Sequence, residues 1–558
     1  MINYLDFKEA KCKNCYKCLK ECPVKSIRIE NNQARIISDK CILCGSCTLV
    51  CPQNAKYVHS GINIVKQLLN NEKVIASVAP SFISNFNISS FNSLNKALKT
   101  LGFVFGEETA RGASLVSKKY QELLNKGDYK NLISSCCPSA VRLIELYYPD
   151  ALKYLAPVDS PIIAHGKLLK QEYPDYKIVF IGPCIAKKRE CDESGIIDAV
   201  LTFEELDEMF IENDIILEDE EDIDLVSYNK ARFYPISRGI IKSFEEYNDK
   251  YVYIAVDGID RCKEVLEEID ILENVFLEIN TCRSSCVGGP CRINTNGKAI
   301  TANSKVRKYV RDNTNKTTLN DLTINIDKQY SKIDINDNIP SEQDIQRILN
   351  MTNKYNKEDE LNCGACGYDT CRQKAWAIYN GYADINMCLP YMRQRAESLS
   401  NEVMKSSPNG IVVIDDEYRI VEINDKAKEY LNIKNVKLGD STIFEHFSDI
   451  DQLVNAIENN SNLNNQLTYI NDNKKYLDYS LTLMPEQNLF LMVIKDVTAK
   501  TNYDRQLEKI KSDTLALTDD VINKQMKVVQ EIASLLGETT AETKAAIYNL
   551  KKTFKGDE

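Results

Sequence analysis

Histidine is nearly missing from this sequence, with three residues in 558, so zinc sites of mixed Cys/His type have little to draw on. Apolar runs are short, and none approaches the roughly 18 residues that a membrane-spanning helix needs. Residues 1–10 carry acidic side chains and no apolar stretch, so no export signal is expected and a cytoplasmic location is. Positive charge is also short: a net charge of −11 argues against nucleic acid or an anionic membrane as the main partner. Much of the acidity lies in residues 218–224, read as a solvated face or loop, with docking of a basic partner as the alternative. The hydrophobic fraction of 43% is ordinary for a folded chain, and the length predicts three or four domains.

What the sequence does have is cysteine, twenty residues in three packets. Eight fall between Cys12 and Cys51, eight between Cys136 and Cys291, four between Cys363 and Cys388, and none follows. Without an export signal such residues point to metal or redox chemistry before disulfides. In the first packet Cys12, Cys15, Cys18 and Cys22-Pro23 are spaced C-x2-C-x2-C-x3-C-P, and Cys41, Cys44, Cys47 and Cys51-Pro52 repeat the spacing. Three thiolates two residues apart wrap one [4Fe–4S] cube and the fourth reaches the neighbouring cube. Cys12, Cys15, Cys18 and Cys51 therefore pair with one cluster, and Cys41, Cys44, Cys47 and Cys22 with the other.

The pattern as a whole predicts a multidomain α/β protein: a 2[4Fe–4S] ferredoxin-like module at 1–60, an α/β domain at 61–304, a linker at 305–340, a small helical cluster domain at 341–396, an α/β sensor-like domain at 397–500, and a C-terminal helix at 501–558. Strands are expected at Val74–Val78, 178–181 and 251–256, with helices at 89–100 and 115–124. Residues 305–340 are read as a linker because they are rich in Asn, Asp, Lys and Thr with few apolar anchors. In 476–484 the side chains of Leu477, Tyr479, Leu481 and Leu483 share a face, the alternation of a half-buried strand. Beyond residue 502, Ile522, Val529 and Leu536, beside Val521, Val528 and Leu535, repeat at seven-residue spacing, which suits a partner helix, a coiled coil or a homodimer, or a helix lying on its own domain.

The second packet is scattered over three loops: Ser134-Ser135-Cys136-Cys137-Pro138, then Gly182-Pro183-Cys184-Ile185-Ala186-Lys187-Lys188, then Cys282 and Cys286-Val287-Gly288-Gly289-Pro290-Cys291. Adjacent side chains diverge, so one of Cys136 and Cys137 is a ligand and the other something else. These segments resemble, in order, the three H-cluster loops of the [FeFe]-hydrogenase family, and the PAS-bearing arrangement resembles its sensory group. The resemblance implies that Cys137, Cys184, Cys282 and Cys286 hold a cubane, with Cys286 bridging to a diiron subcluster bearing CO and CN ligands. It implies that Cys136 is the proton-relaying thiol, that Lys187 bonds a cyanide, and that Pro80 and Ser81 line the other cyanide. Cys191 and Cys262 are read as buried structural thiols and Cys291 as non-ligating.

The departures from the family matter as much. Methionines of the catalytic members are replaced by Gly182 and Asn280, the third loop reads Arg283-Ser284-Ser285 where Gly-Gly is usual, and 117–122 keeps one acid, Glu122, of the family's proton path. Residues 156–160 replace its serine-rich segment.

Cys363, Cys366, Cys371 and Cys388 form a fourth thiolate set, similar to the small [4Fe–4S] domain of corrinoid iron–sulfur proteins, with structural zinc as the alternative. Residues 407–415, 419–424 and 495–498 resemble a PAS domain; its His446 is expected to be an ordinary surface residue. The expectation is an H2 or redox sensor holding four [4Fe–4S] clusters and a diiron subcluster. Its expected partners are H2 and protons, a redox partner such as ferredoxin, diiron maturation proteins, and a signalling protein met through the PAS segment and tail. The alternatives are a catalytic ferredoxin hydrogenase and a redox sensor without the diiron site.

Overall fold

In a computed structural model of the chain, residues 4–8, 11–220, 229–293, 298–312, 324–433, 436–447, 451–470 and 474–554 are described. They fall into two units, Met1–Met392 and Arg393–Glu558.

In the first unit, Val74–Val78 is apolar but for Ser77, whose hydroxyl is bonded to Thr109 and His165, and such a run suits a parallel strand covered on both faces. All five residues are buried. It forms the second strand of a four-stranded parallel sheet in the order Phe105–Glu108, Val74–Val78, Lys177–Gly182, Ala199–Thr202. A second parallel sheet has the order Val252–Asp257, Val275–Asn280, Asn131–Ile133. Helices join the strands, among them Phe91–Thr100, whose N-cap Ser90 accepts the Ser93 amide, and Ala110–Lys126, which ends at Gly127. The expected strands at 178–181 and 251–256 and helices at 89–100 and 115–124 lie within these elements or one to two residues from their ends.

The ferredoxin-like segment is built from two antiparallel pairs, Leu5–Phe7 with Lys56–Val58 and Ile27–Glu30 with Gln33–Ile36. Its second loop is locked to the α/β region at Gly45. That residue has φ +75°, and a Cβ there would collide with the Pro290 ring.

The linker expected at 305–340 needs correction at both ends. Residues 305–312 complete the helix Ala299–Asp312, whose Val306, Tyr309 and Val310 are buried in the core around the first sheet. Further on, Ile326 is buried against Val158, Ile333 and Ile335 pack on the second sheet's core, and Asp337 pairs with Lys40. The Lys40 ammonium also lies 4.2 Å from the Tyr382 ring and 4.7 Å from the Trp376 ring. A few apolar anchors, one at Ile326 and two at Ile333 and Ile335, hold this segment down. Residues 313–323 lie outside the described residues, as do 221–224 of the acidic run. The run's first residues are engaged: Glu218 and Glu220 pair with Lys96, and Asp219 accepts from Ser89.

The second unit holds an antiparallel five-stranded sheet ordered Ile420–Ile423, Gly410–Ile414, Leu489–Asp496, Lys475–Met484, Leu463–Ile470. Leu477, Tyr479 and Leu481 are fully buried on one face of Lys475–Met484. The strand Leu463–Ile470 was not anticipated, because Asn464, Asn465 and Gln466 break its alternation. Thr498, bonded to Asp496, opens a helix that runs to Phe554, 57 residues or about 86 Å.

Candidate metal centres

The cysteine repeat folds into two loops of matching backbone. Asn14 and Tyr16 in the first, and Leu43 and Gly45 in the second, all take positive φ. Alternation of right- and left-handed residues turns successive amides towards one concavity, an arrangement suited to anions and iron–sulfur centres. One cavity is lined by Cys12, Cys15, Cys18 and Cys51, and the other by Cys22, Cys41, Cys44 and Cys47. Four thiols thus surround each space, with one contributed across the repeat.

The third set is built by strand ends. Cys136 and Cys137 follow Asn131–Ile133, Cys184 follows Lys177–Gly182, Cys282 and Cys286 follow Val275–Asn280, and Pro80 and Ser81 follow Val74–Val78. All are carboxyl ends of parallel strands, where α/β sheets place their ligands. They open on one cavity of about 100 Å³, also lined by Lys187, Tyr234, Asn280 and Cys44.

Burial first and the neighbouring thiols second push the Cys184 thiol up to about 11, and raise Cys282 and Cys286 further. Such a set takes its thiolate form only with cationic charge among the sulfurs. The hydroxyls of Ser81, Ser139 and Ser285 are buried against this space without a partner among the described residues, which also fits a polar occupant. Ser284 and Ser285 sit at φ 65° and 60°, so the third loop keeps a glycine-like path with serines in it. Among the described residues no three His, Cys, Asp or Glu converge closely enough to hold a single ion. The thiols surround spaces instead.

Cys136 is enclosed by hydroxyls. Its sulfur is 3.2 Å from the Tyr120 hydroxyl, which accepts the Ser135 amide at 2.8 Å, while the Ser135 hydroxyl donates to the Val158 carbonyl. Burial raises the Cys136 thiol to about 12, against the smaller opposing pull of Tyr120 and Lys187. Next to it the Tyr234 hydroxyl bonds Ser117 at 2.7 Å, Ser117 bonds Ser243 at 2.5 Å, and Ser243 donates to the Ile240 carbonyl. Lys187 donates to Glu190 at 2.6 Å, to Ser160 at 3.0 Å and to the Cys136 carbonyl at 3.3 Å. Burial pulls the Lys187 ammonium down, but Glu190 more than offsets this and its pKa ends above the ordinary value.

Glu122, the acid retained on helix Ala110–Lys126, is exposed and does not line the cavity. The sequence reading missed Glu278, fully buried in Val275–Asn280. One of its oxygens accepts the Ile241 amide and the other has no partner among the described residues. Burial lifts it to about 7, against four backbone amides at 238–241 that pull the other way. The signal was there, an acid inside an otherwise apolar strand. Cys191, Cys262 and Cys291 are each buried, and none lines the cavity.

Cys363, Cys366, Cys371 and Cys388 line the fourth cavity together with Lys354 and Lys374. Asn362, Gly364 and Gly367 have positive φ here, and a Cβ on Gly367 would come within 2.9 Å of Leu19 in the ferredoxin-like segment. Thr370 caps the helix Cys371–Tyr379 by accepting the Gln373 amide, which fixes Cys371 at the helix start.

Comparison with known proteins matches residues 72–290 to "Iron only hydrogenase large subunit, C-terminal domain", 5–52 to "4Fe-4S dicluster domain", 359–390 to "Putative Fe-S cluster" and 398–465 to "PAS domain". The chain is 28% identical over 322 residues to the NADP-reducing hydrogenase subunit HndD of Solidesulfovibrio fructosivorans, covering 45% of this chain and 55% of that protein. It is 27% identical over 310 residues to iron hydrogenase 1 of Clostridium pasteurianum, covering 43% and 54%. A solved [FeFe]-hydrogenase of Chlamydomonas reinhardtii aligns at 17% identity, covering 45% of this chain and 88% of that one, with a TM-score of 0.37. The chain spans little more than half the length of the curated relatives it matches.

Proposed function

We propose, for a chain whose residues 72–290 belong to the iron-only hydrogenase large-subunit family and which also carries dicluster and PAS segments, that it is an H2 or redox sensor with slow hydrogen turnover. Cys137, Cys184, Cys282 and Cys286 would hold a cubane, with Cys286 shared with a diiron group bearing CO and CN ligands. When bound, that group supplies the redox centre at which dihydrogen is taken up or released. Pro80, Ser81 and Lys187 line its space, and the Cys136 thiol holds a proton at Sγ. The two ferredoxin sets and the 363–388 set would carry three further [4Fe–4S] clusters.

The observation that carries the sensor reading is the hydroxyl enclosure of Cys136. Tyr120 and Ser135 pass hydrogen bonds back to a buried carbonyl, and Ser117, Tyr234 and Ser243 do the same. Among the described residues no carboxylate bonds the Cys136 sulfur or these hydroxyls, so the chains end at carbonyls and reach no group that exchanges protons near neutral pH. Proton delivery to Cys136 is therefore slow, which suits a device that reports on hydrogen more than one that processes it.

Output would go by protein contact. Cys388 directly precedes the helix Leu389–Ser406, and the Met392 amide bonds back to the Cys388 carbonyl. A signalling protein would meet the PAS segment and tail, the tail would pair two copies of the chain, and electrons would be exchanged with a carrier such as ferredoxin. No helix among the described residues is long and apolar enough to cross a membrane. The curated relatives favour a second reading, a working ferredoxin-linked hydrogenase.

Infrared spectra of protein matured with the diiron cofactor, taken under nitrogen and then hydrogen, test the proposal. Cyanide and carbonyl bands that shift reversibly, with low turnover in the same sample, are expected. High turnover would favour the catalytic reading. Absence of the bands would leave a sensor built from cubanes alone.

A further inference from the structure

Lys354 and Lys374 have no place in the reading above, yet they are among the most enclosed cations of the chain, 6% and 5% exposed. Lys354 donates to the Cys388 sulfur at 3.4 Å and to the Thr352 carbonyl at 2.9 Å, and Lys374 donates to the Ile385 carbonyl at 2.9 Å. Both line the cavity of Cys363, Cys366, Cys371 and Cys388. Neither forms an ion pair within 4.0 Å with a carboxylate among the described residues; Asp384 is in longer electrostatic reach of Lys374. A buried ammonium without a paired carboxylate is costly, and two acting on each other repel, so an anion in the cavity relieves both.

We propose that Lys354 and Lys374 make the 363–388 centre the electron sink of the unit Met1–Met392. This role requires those four cysteines to hold a [4Fe–4S] centre, as proposed above, and is independent of the diiron site. Such a centre, counted with its four thiolates, carries two negative charges when oxidised and three once it has gained one electron. Fixed positive charge beside the sulfurs favours the second state, and net charge and hydrogen bonds to sulfur are what set cluster potentials.

The other sites have less of this provision: in the cavity of Cys137, Cys184, Cys282 and Cys286 the one lysine, Lys187, is paired with Glu190 at 2.6 Å. No charged side chain lines the cavity of Cys22, Cys41, Cys44 and Cys47. That of Cys12, Cys15, Cys18 and Cys51 has exposed Lys13 and Lys17, which water screens, and one enclosed ammonium, Lys56, where the 363–388 cavity has two. The expected order of affinity for an electron is 363–388 first, the Cys12 site second and the Cys22 site last. The geometry allows exchange, because Tyr368 and Cys366 pack in one apolar cluster with Cys18, Leu19 and Cys22. One electron leaves a ferredoxin centre, which is oxidised, and enters the 363–388 centre, which is reduced; no bond or proton changes hands.

The test is an anaerobic, mediator-poised reductive titration of the full reconstituted chain, followed by electron paramagnetic resonance. Iron and zinc are measured in the same sample. Cys371→Ala identifies the signal that belongs to this site, and that signal is expected first on reduction. The Lys354→Met, Lys374→Met double variant should lose that priority. Its reduced-to-oxidised ratio at a fixed potential should fall by about tenfold or more, the size expected for charge-assisted hydrogen bonds, while Lys354→Arg and Lys374→Arg keep it high. Should the double variant not fold, Lys374→Met alone gives the same readout. An unchanged titration in a folded Met variant overturns the proposal. Zinc at this site, with no signal lost in Cys371→Ala, overturns it as well and leaves the hydrogen-sensing reading standing.

Discussion

The Tyr120 hydroxyl bridges the Cys136 sulfur and the backbone amide of the preceding residue, Ser135, at 3.2 and 2.8 Å. One buried oxygen thereby fixes both the thiol and the turn that presents it. Tyr120→Phe removes that oxygen and leaves the Ser135 amide without its acceptor. Stability should fall by about 1–3 kcal/mol, the cost of orphaning a buried donor, with iron content retained. Urea denaturation followed by far-ultraviolet circular dichroism measures the loss, and an unchanged midpoint would show that the amide finds another acceptor.

Ser284 is the second place where stability should respond to one atom or two. At φ 65° a side chain costs roughly 1–2 kcal/mol relative to a right-handed residue, and glycine avoids that cost. Ser284→Gly should raise the thermal midpoint and Ser284→Val should lower it. Calorimetry on the pair gives opposite signs if the left-handed conformation is the cause.

Glu278 makes stability depend on pH. Its carboxyl is raised to about 7 in the folded chain from an ordinary 4.5, so between these values the folded state holds a proton that the unfolded state has released. Stability is therefore fully present below about pH 4.5 and is lost as pH rises through 7. The whole span is worth on the order of 3 kcal/mol. Glu278→Gln, which cannot ionise, should flatten this part of the stability profile. Denaturation midpoints at half-unit steps from pH 5 to 8 would reveal the slope, and an identical slope in both proteins would clear Glu278 of it.

The helix Thr498–Phe554 leaves Val521, Ile522, Val528, Val529, Leu535 and Leu536 each more than half exposed. Side chains at this spacing are covered when two such helices pair. Sedimentation of the full chain should give a dimer, and Val529→Glu with Leu536→Glu should give a monomer with cluster content unaltered. A wild-type monomer at micromolar concentration would remove the paired-tail reading.

The parts of the site that lie within one loop were legible in the sequence, because C-x2-C-x2-C spacing and a Pro-Cys turn are local geometry. The strand ends were legible for a similar reason: Val74–Val78 reads as a buried strand from its own five residues. What joins distant segments was not. Tyr120 meets Cys136 across 16 positions and Lys354 meets Cys388 across 34, and no periodicity marks either pairing. The linker at 305–340 was misjudged for the same physical reason. Ile326, Ile333, Ile335 and Asp337 each anchor one point on surfaces made elsewhere, and a composition dominated by Asn, Asp, Lys and Thr hides them.

The seat of Gly45 against Pro290 bears on how modules of this chain can be exchanged. A ferredoxin loop transplanted from another protein brings whatever residue stands at position 45, and any side chain there strikes the Pro290 ring of the third cysteine loop. The two loops behave as a matched lock and key although 245 positions separate them. Chimeras cut at the apparent boundary near residue 60 should assemble only when the incoming ferredoxin loop carries glycine at this position or brings its own third-loop partner with it.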